Sequence, residues 1–161
     1  MHPTAQKVAE AARERGLSIK IKEFKATTRT AEDAANAIGC SVAQIVKSLL
    51  FVVDGQAVMA LVSGPNRLDE QKLATLRGVG KKKVKRANAD IVRVATGFAI
   101  GGVPPFGHLQ PLPVYIDEDF WQFEIIWAAA GTPNAVFAIT PTELAHVTQG
   151  MVADLKADIL G

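Results

Sequence analysis

Two apolar runs, Leu49-Leu50-Phe51-Val52-Val53 and Ala57-Val58-Met59-Ala60-Leu61-Val62, flank the pair Asp54-Gly55. Both residues of such a pair tolerate positive φ, which a two-residue hairpin turn demands, so the spacing predicts an antiparallel hairpin. The first arm is continuously apolar rather than alternating, which is the pattern of a strand buried on both faces. Gly64-Pro65 ends the second arm.

Around this hairpin, helix and strand signals alternate. Pro3 to Arg15 reads as a helix stopped at Gly16, and Ile19 to Phe24 as a short strand. Thr30-Ala31-Glu32-Asp33 opens a helix that Gly39 closes, and Ser41-Val42-Ala43-Gln44 opens a short helical turn running to about Lys47. Asp69 caps a further helix, with Leu68 and Leu73 spaced as a hydrophobic staple and Gly78 after its last turn. Asn88 to Val94 is another short helix; Phe98–Ile100, Val114–Ile116, Ile125–Ala129 and Ala135–Ile139 are strand candidates. Thr140-Pro141-Thr142-Glu143 combines a capping box with a first-turn proline. Residues Met151 to Leu160 are expected to extend that last helix or pack beside it. Hairpin strands interleaved with short helices imply an α+β fold with a mixed, largely antiparallel sheet.

With 161 residues, 48% of them hydrophobic and 21% charged, the chain suits one domain over 1–161 with a real core, and excludes a disordered class. Eighteen basic against sixteen acidic residues leave a formal charge of +2, so nucleic-acid binding would have to come from local clustering. The one cysteine, Cys40, excludes an intrachain disulfide and points to a reducing compartment. MHPTAQKVAEAARERG is charged and amphipathic, unlike a signal peptide, and no apolar run reaches the roughly 18 residues of a membrane span. A soluble, cytoplasmic protein without a membrane partner is expected.

The common catalytic signatures are absent: no G-x-S-x-G, H-E-x-x-H, G-x-x-x-x-G-K-[ST] or G-x-G-x-x-G occurs. His2, His108 and His146 are scattered, so no metal is expected, and Cys40 reads as a small apolar residue rather than a nucleophile. Three features remain. Gly101-Gly102-Val103-Pro104-Pro105-Phe106-Gly107 is either a tight connection at a sheet corner or a rigid cradle of backbone N–H groups. Lys47 either runs its stem to solvent at a helix end or aims its ammonium into a pocket beside the strand. Lys81, Lys82, Lys83, Lys85 and Arg86 form either a solvated face or a phosphate-binding patch.

Taken in order, Thr30-Ala31-Glu32-Asp33-Ala34-Ala35, Ile45-Val46-Lys47-Ser48-Leu49, Thr96-Gly97-Phe98, Gly101 through Gly107, Ile116-Asp117 and Ala129-Ala130-Gly131-Thr132-Pro133 resemble the YbaK family. Its members are free-standing relatives of the editing insertion domain of bacterial prolyl-tRNA synthetase. The resemblance implies a single compact α+β domain, its curved, barrel-like mixed sheet wrapped by short helices. It also implies a trans-acting deacylase that hydrolyses the ester of a mischarged tRNA, tRNA-Pro carrying a small wrong amino acid, without metal or organic cofactor. Lys47, Gly101 and Gly102 would then be catalytic. Thr30, Ser48, Phe51, Val103, Pro104, Pro105, Phe106, Gly107, Ala130 and Gly131 would bind substrate, and Lys81, Lys82, Lys83, Lys85 and Arg86 would bind tRNA. An aminoacyl-tRNA synthetase is a further implied partner. Some relatives carry Ser-Gly-Gly at Ala129-Ala130-Gly131 and an aspartate at Val136, so those side chains play no part here. Such chemistry explains a missing nucleophile: the ester is already activated, and placing water or the ribose hydroxyl and stabilising an oxyanion are sufficient. The alternatives are a non-catalytic tRNA- or synthetase-binding module on the same fold and, more remotely, a hydrolase of small esters.

Overall fold

The computed structural model describes residues 2–25 and 30–158. The hairpin forms as its sequence requires. β2 (Val46–Val53) and β3 (Gln56–Ser63) pair in unbroken register from Val46 with Ser63 to Val53 with Gln56. Asp54 at φ 48° and Gly55 at φ 82° make the turn, both left-handed as a type I′ hairpin needs.

The hairpin is the centre of a five-stranded sheet ordered β4-β2-β3-β5-β8. β4 (Val84–Arg86) lies antiparallel on β2, whereas β5 (Val114–Asp117) and β8 (Met151–Ala153) continue parallel from β3. A second, antiparallel sheet has the order β1 (Ile21–Glu23), β7 (Ala135–Ile139), β6 (Ile126–Ala129). An isolated bridge from Ile45 to Trp127 links the sheets, and they do not close into the expected barrel.

Alternate residues of the hairpin serve two cores. Val46, Leu50, Met59 and Leu61 face the three-stranded sheet, α1 (Pro3–Glu14), α4 (Ala89–Thr96) and α5 (Pro141–Thr148). Phe51, Val53, Val58, Ala60 and Val62 face α3 (Glu70–Arg77) and Leu155. That double burial is why both arms are uninterrupted apolar runs.

Most helix starts follow local capping chemistry. Side-chain oxygens of Thr30, Asp69, Asn88 and Thr140 accept first-turn N–H groups, each worth about 1 kcal/mol. Thr30 opens α2 (Ala31–Ile38), which Gly39 ends at φ 87°.

Three expectations are corrected. The helical turn after Ser41 stops at Gln44, and β2 begins at Val46, because the pairing of Val46 with Ser63 extends the hairpin inward. Lys47 therefore sits inside a strand rather than at a helix end. Phe98–Ile100 is no strand: Gly97 at φ 84° reverses the chain, and Thr96 Oγ1 holds the Phe98 N–H, leaving Phe98 as a buried loop anchor. Met151–Ala153 is a strand on β5, not helix, since Gln149 at φ 54° ends α5. Leu160 lies outside the described residues. No described helix is long and apolar enough to cross a membrane.

Candidate functional site

β4 covers only Phe51–Val53 of the outer edge of β2, leaving the start of that strand uncovered by β4. A cavity of about 360 Å³ opens there. Its floor is Ile45, Val46, Lys47, Ser48 and Leu49; Thr30, Ala31 and Ala34 of the α2 start form one wall. Ile100, Gly101 and Val103 form a second wall, and Trp127, Ala128, Ala129, Thr132, Pro133, Ala135 and Val136 a third; Arg86 stands at the rim.

Of the residues expected from sequence, the fold brings together Thr30, Lys47, Ser48, Arg86, Gly101 and Val103. The others lie elsewhere. Phe51 belongs to the opposite core with Val53, Val58 and Leu73, beneath β4, and Arg86 is stacked over its ring at 5.6 Å. Gly102, Pro104, Pro105 and Phe106 are buried behind the wall. Phe106 packs on Phe137 with ring centroids 5.6 Å apart, and Gly107 packs against Ala11 of α1. His108 Nε2 lies 2.7 Å from the Pro104 carbonyl oxygen, and burial, the largest cause, lowers its pKa. Ala130 is core, and Gly131 presses on Thr4.

The glycine loop is a docking device as well as a wall. Gly131 N–H donates to the Gly102 carbonyl at 2.9 Å, and the Gly102 N–H is spent within its own turn on Ala99. Gly102 thus has no amide to offer a ligand. The N–H of Gly101 has no acceptor among the described residues, and Gly101 lines the cavity.

Lys47 Nζ donates to the carbonyl oxygen of Asn66 at 2.5 Å. Burial, the largest cause, lowers its pKa below the ordinary lysine range; Glu32 and Asp117 oppose that shift, and Arg86 adds to it. Ser48 Oγ is buried without a hydrogen-bond partner among the described residues, a state that costs roughly 1–3 kcal/mol until something fills it. Among the described residues, Lys47 and Arg86 are the only ionisable ones on the lining, so the cavity suits an anion or a developing negative charge.

The basic run does not form one face. Lys81–Lys83 is an exposed 3-10 turn, with Lys83 Nζ 3.8 Å from Asp54, and Lys85 and Arg86 alternate across β4. Cys40 is half-buried and off the cavity, and burial raises its pKa, the opposite of an activated thiol. Among the described residues no cluster of three or more His, Cys, Asp or Glu side chains is placed to hold a metal. No site role for Trp127, Val136, Ile45 or Asn66 is legible in the sequence. The first three look like ordinary strand residues, and Asn66 acts through its backbone, so no local signal marks them.

Relatives share this architecture. A crystal structure described as a candidate trans-editing enzyme for prolyl-tRNA synthetase superposes with a TM-score of 0.93 at 49% identity, covering 98% of this chain and 99% of that one. An uncharacterised protein of Bacillus subtilis (strain 168), YwhH, is 33% identical over 127 residues, 78% of this chain and 79% of its own length. A proline–tRNA ligase of Thermoanaerobacter sp. (strain X514) is 27% identical over 141 residues; the match covers 88% of this chain but only 23% of the ligase. Residues 25–147 match the aminoacyl-tRNA editing domain, a stretch that holds the entire cavity lining. The chain belongs to the aminoacyl-tRNA editing domain family.

Proposed function

We propose that this protein is a trans-acting deacylase that hydrolyses the ester of mischarged tRNA-Pro bearing a small amino acid. The observation that carries the reading is the cavity itself: two cations and a free loop amide over small apolar walls, with no Cys, His, Asp or Glu among its described lining residues. Water adds to the ester carbonyl, the bond from carbonyl carbon to ribose oxygen breaks, and a proton passes to that oxygen. Lys47 Nζ and the Gly101 N–H hold the oxyanion as it forms, and Arg86 meets the terminal phosphate. Val46, Val103, Val136 and Trp127 limit the side chain by size, and Thr30 and Ser48 offer hydroxyls to its polar atoms. One methylene is worth only about 1–3 kcal/mol of such discrimination.

Single-turnover deacylation tests this over tRNA-Pro charged with alanine, serine, cysteine, threonine or proline. One or more small amino acids should be released and proline spared. A gel shift of the RNA without release would instead identify a non-catalytic tRNA-binding module.

Lys81, Lys82 and Lys85 serve, in this reading, as contacts to the tRNA backbone. Neutralising Lys81 and Lys82 together should flatten the log–log salt dependence of tRNA binding by about one to two units and leave amino-acid preference unchanged. An unaltered slope returns these lysines to plain solvation.

A further inference from the structure

Lys47 is a flexible point charge that must be held still, and the structure contains the means. Its ammonium meets the carbonyl of Asn66, the last residue of the tight turn Ser63-Gly64-Pro65-Asn66, closed by the Asn66 N–H on the Ser63 carbonyl at 2.9 Å. A fully buried carboxylate, Asp117, grips that turn at both ends. Its Oδ2 accepts the Ser63 N–H at 3.0 Å and the Asn66 side-chain amide at 2.9 Å. The same amide nitrogen donates to Asp119 Oδ2 at 2.8 Å, which Lys156 Nζ also contacts at 3.0 Å. Hydrogen bonds from Asn66, the largest cause, and from Lys156 hold the Asp119 carboxyl below its usual range. On the other side, a Cβ at Gly64 would fall 2.2 Å from the Val42 carbonyl oxygen, so the turn is wedged against the chain as well as bonded to it.

We propose that Asn66, clamped by Asp117 and Asp119, is the positioning residue of Lys47: its carbonyl takes one ammonium hydrogen and leaves two aimed at the substrate. A lysine side chain has many rotamers to lose, and fixing it beforehand spares that entropic cost at the moment of reaction. The inference rests on the deacylase reading for its kinetic consequence but not for its geometry.

Single-turnover rates of wild type, Asn66→Ala, Lys47→Ala and the double variant test it. Asn66→Ala should lose roughly 10- to 100-fold in the saturated rate, as a displaced reacting group does, with half-saturation unchanged within a few-fold. In the Lys47→Ala background the same change should cost nothing further. Equal losses in both backgrounds, or a wild-type rate for Asn66→Ala, would overturn the proposal. Should Asn66→Ala lose its cooperative melt, Asp119→Ala removes one half of the clamp from its more exposed side and is read by the same cycle.

A second readout is independent of turnover. In protein labelled with 13C at lysine Cε, the two Hε protons of Lys47 should be inequivalent in wild type and averaged in Asn66→Ala. If they average while no protein deacylates any tRNA, the deacylase reading falls and the positioning stands. If they remain inequivalent in Asn66→Ala, the positioning falls whatever the rates show.

Discussion

Lys47→Arg should be nearly as inactive in deacylation as Lys47→Ala, both losing roughly 10²-fold or more of the single-turnover rate. Both should melt within about 1–2 °C of wild type. The separation follows from what surrounds the ammonium. It is half-buried, bonded to one carbonyl and lodged in a cavity of about 360 Å³ with Arg86 at the rim. A guanidinium keeps the charge but spreads it over a wide planar fork, which cannot take the single-point contact with Asn66 and still aim donors at a carbonyl. It would also crowd Arg86, already a destabilising neighbour of the Lys47 charge. Little stability is at stake, because the desolvation Lys47 suffers offsets the bond it makes. Wild-type rates for both variants would remove Lys47 from the reaction and leave the cavity without its chemistry.

What the sequence reveals of this molecule is what local chemistry writes into it. Asp54-Gly55 specifies the central turn through φ alone, and Thr30, Asp69, Asn88 and Thr140 mark helix starts through bonds to N–H groups two or three residues away. The family resemblance carries Lys47, Ser48, Gly101 and Val103 to one place, and the fold brings them to one cavity. What is not legible depends on distant partners. The start of β2 at Val46 is decided by Ser63, seventeen residues on, and β8 exists only because β5 offers it an edge. Phe51 looks like a cavity wall until β4 covers that end of β2 and the second core takes its ring. The hold on Lys47 reaches from Asn66 to Asp117, fifty-one residues apart, through a backbone oxygen that no side-chain motif encodes.

Gly101 and Gly102 look equivalent in sequence and are glycine for different reasons, which their alanine variants should separate. Gly101 adopts φ 95° with nothing within 4 Å of where a Cβ would stand. Gly101→Ala therefore costs backbone strain alone, about 1–2 kcal/mol, with the loop still in place. Gly102 has no such φ, so alanine is conformationally acceptable there, but its Cβ would meet Thr132 Cα and N at 2.8 Å and the Gly131 carbonyl carbon at 2.9 Å. Those are backbone atoms and cannot rotate away. The two loops must part, which breaks the bond from Gly131 N–H to the Gly102 carbonyl and moves Gly101, Val103 and Thr132, three pieces of the cavity wall. Overpacking of this kind typically costs about 1–3 kcal/mol, a fall of roughly 3–10 °C in Tm at this chain length. The shifted wall should cost a further 10- to 100-fold in deacylation. Thermal melts and single-turnover rates of both variants measure this. Thr132→Gly supplies the control: since the clash is with the backbone of residue 132, removing its side chain should restore neither melt nor rate to Gly102→Ala. Rescue by Thr132→Gly, or a wild-type melt for Gly102→Ala, would mean that the loops are free to separate and that Gly102 is glycine for some reason other than their contact.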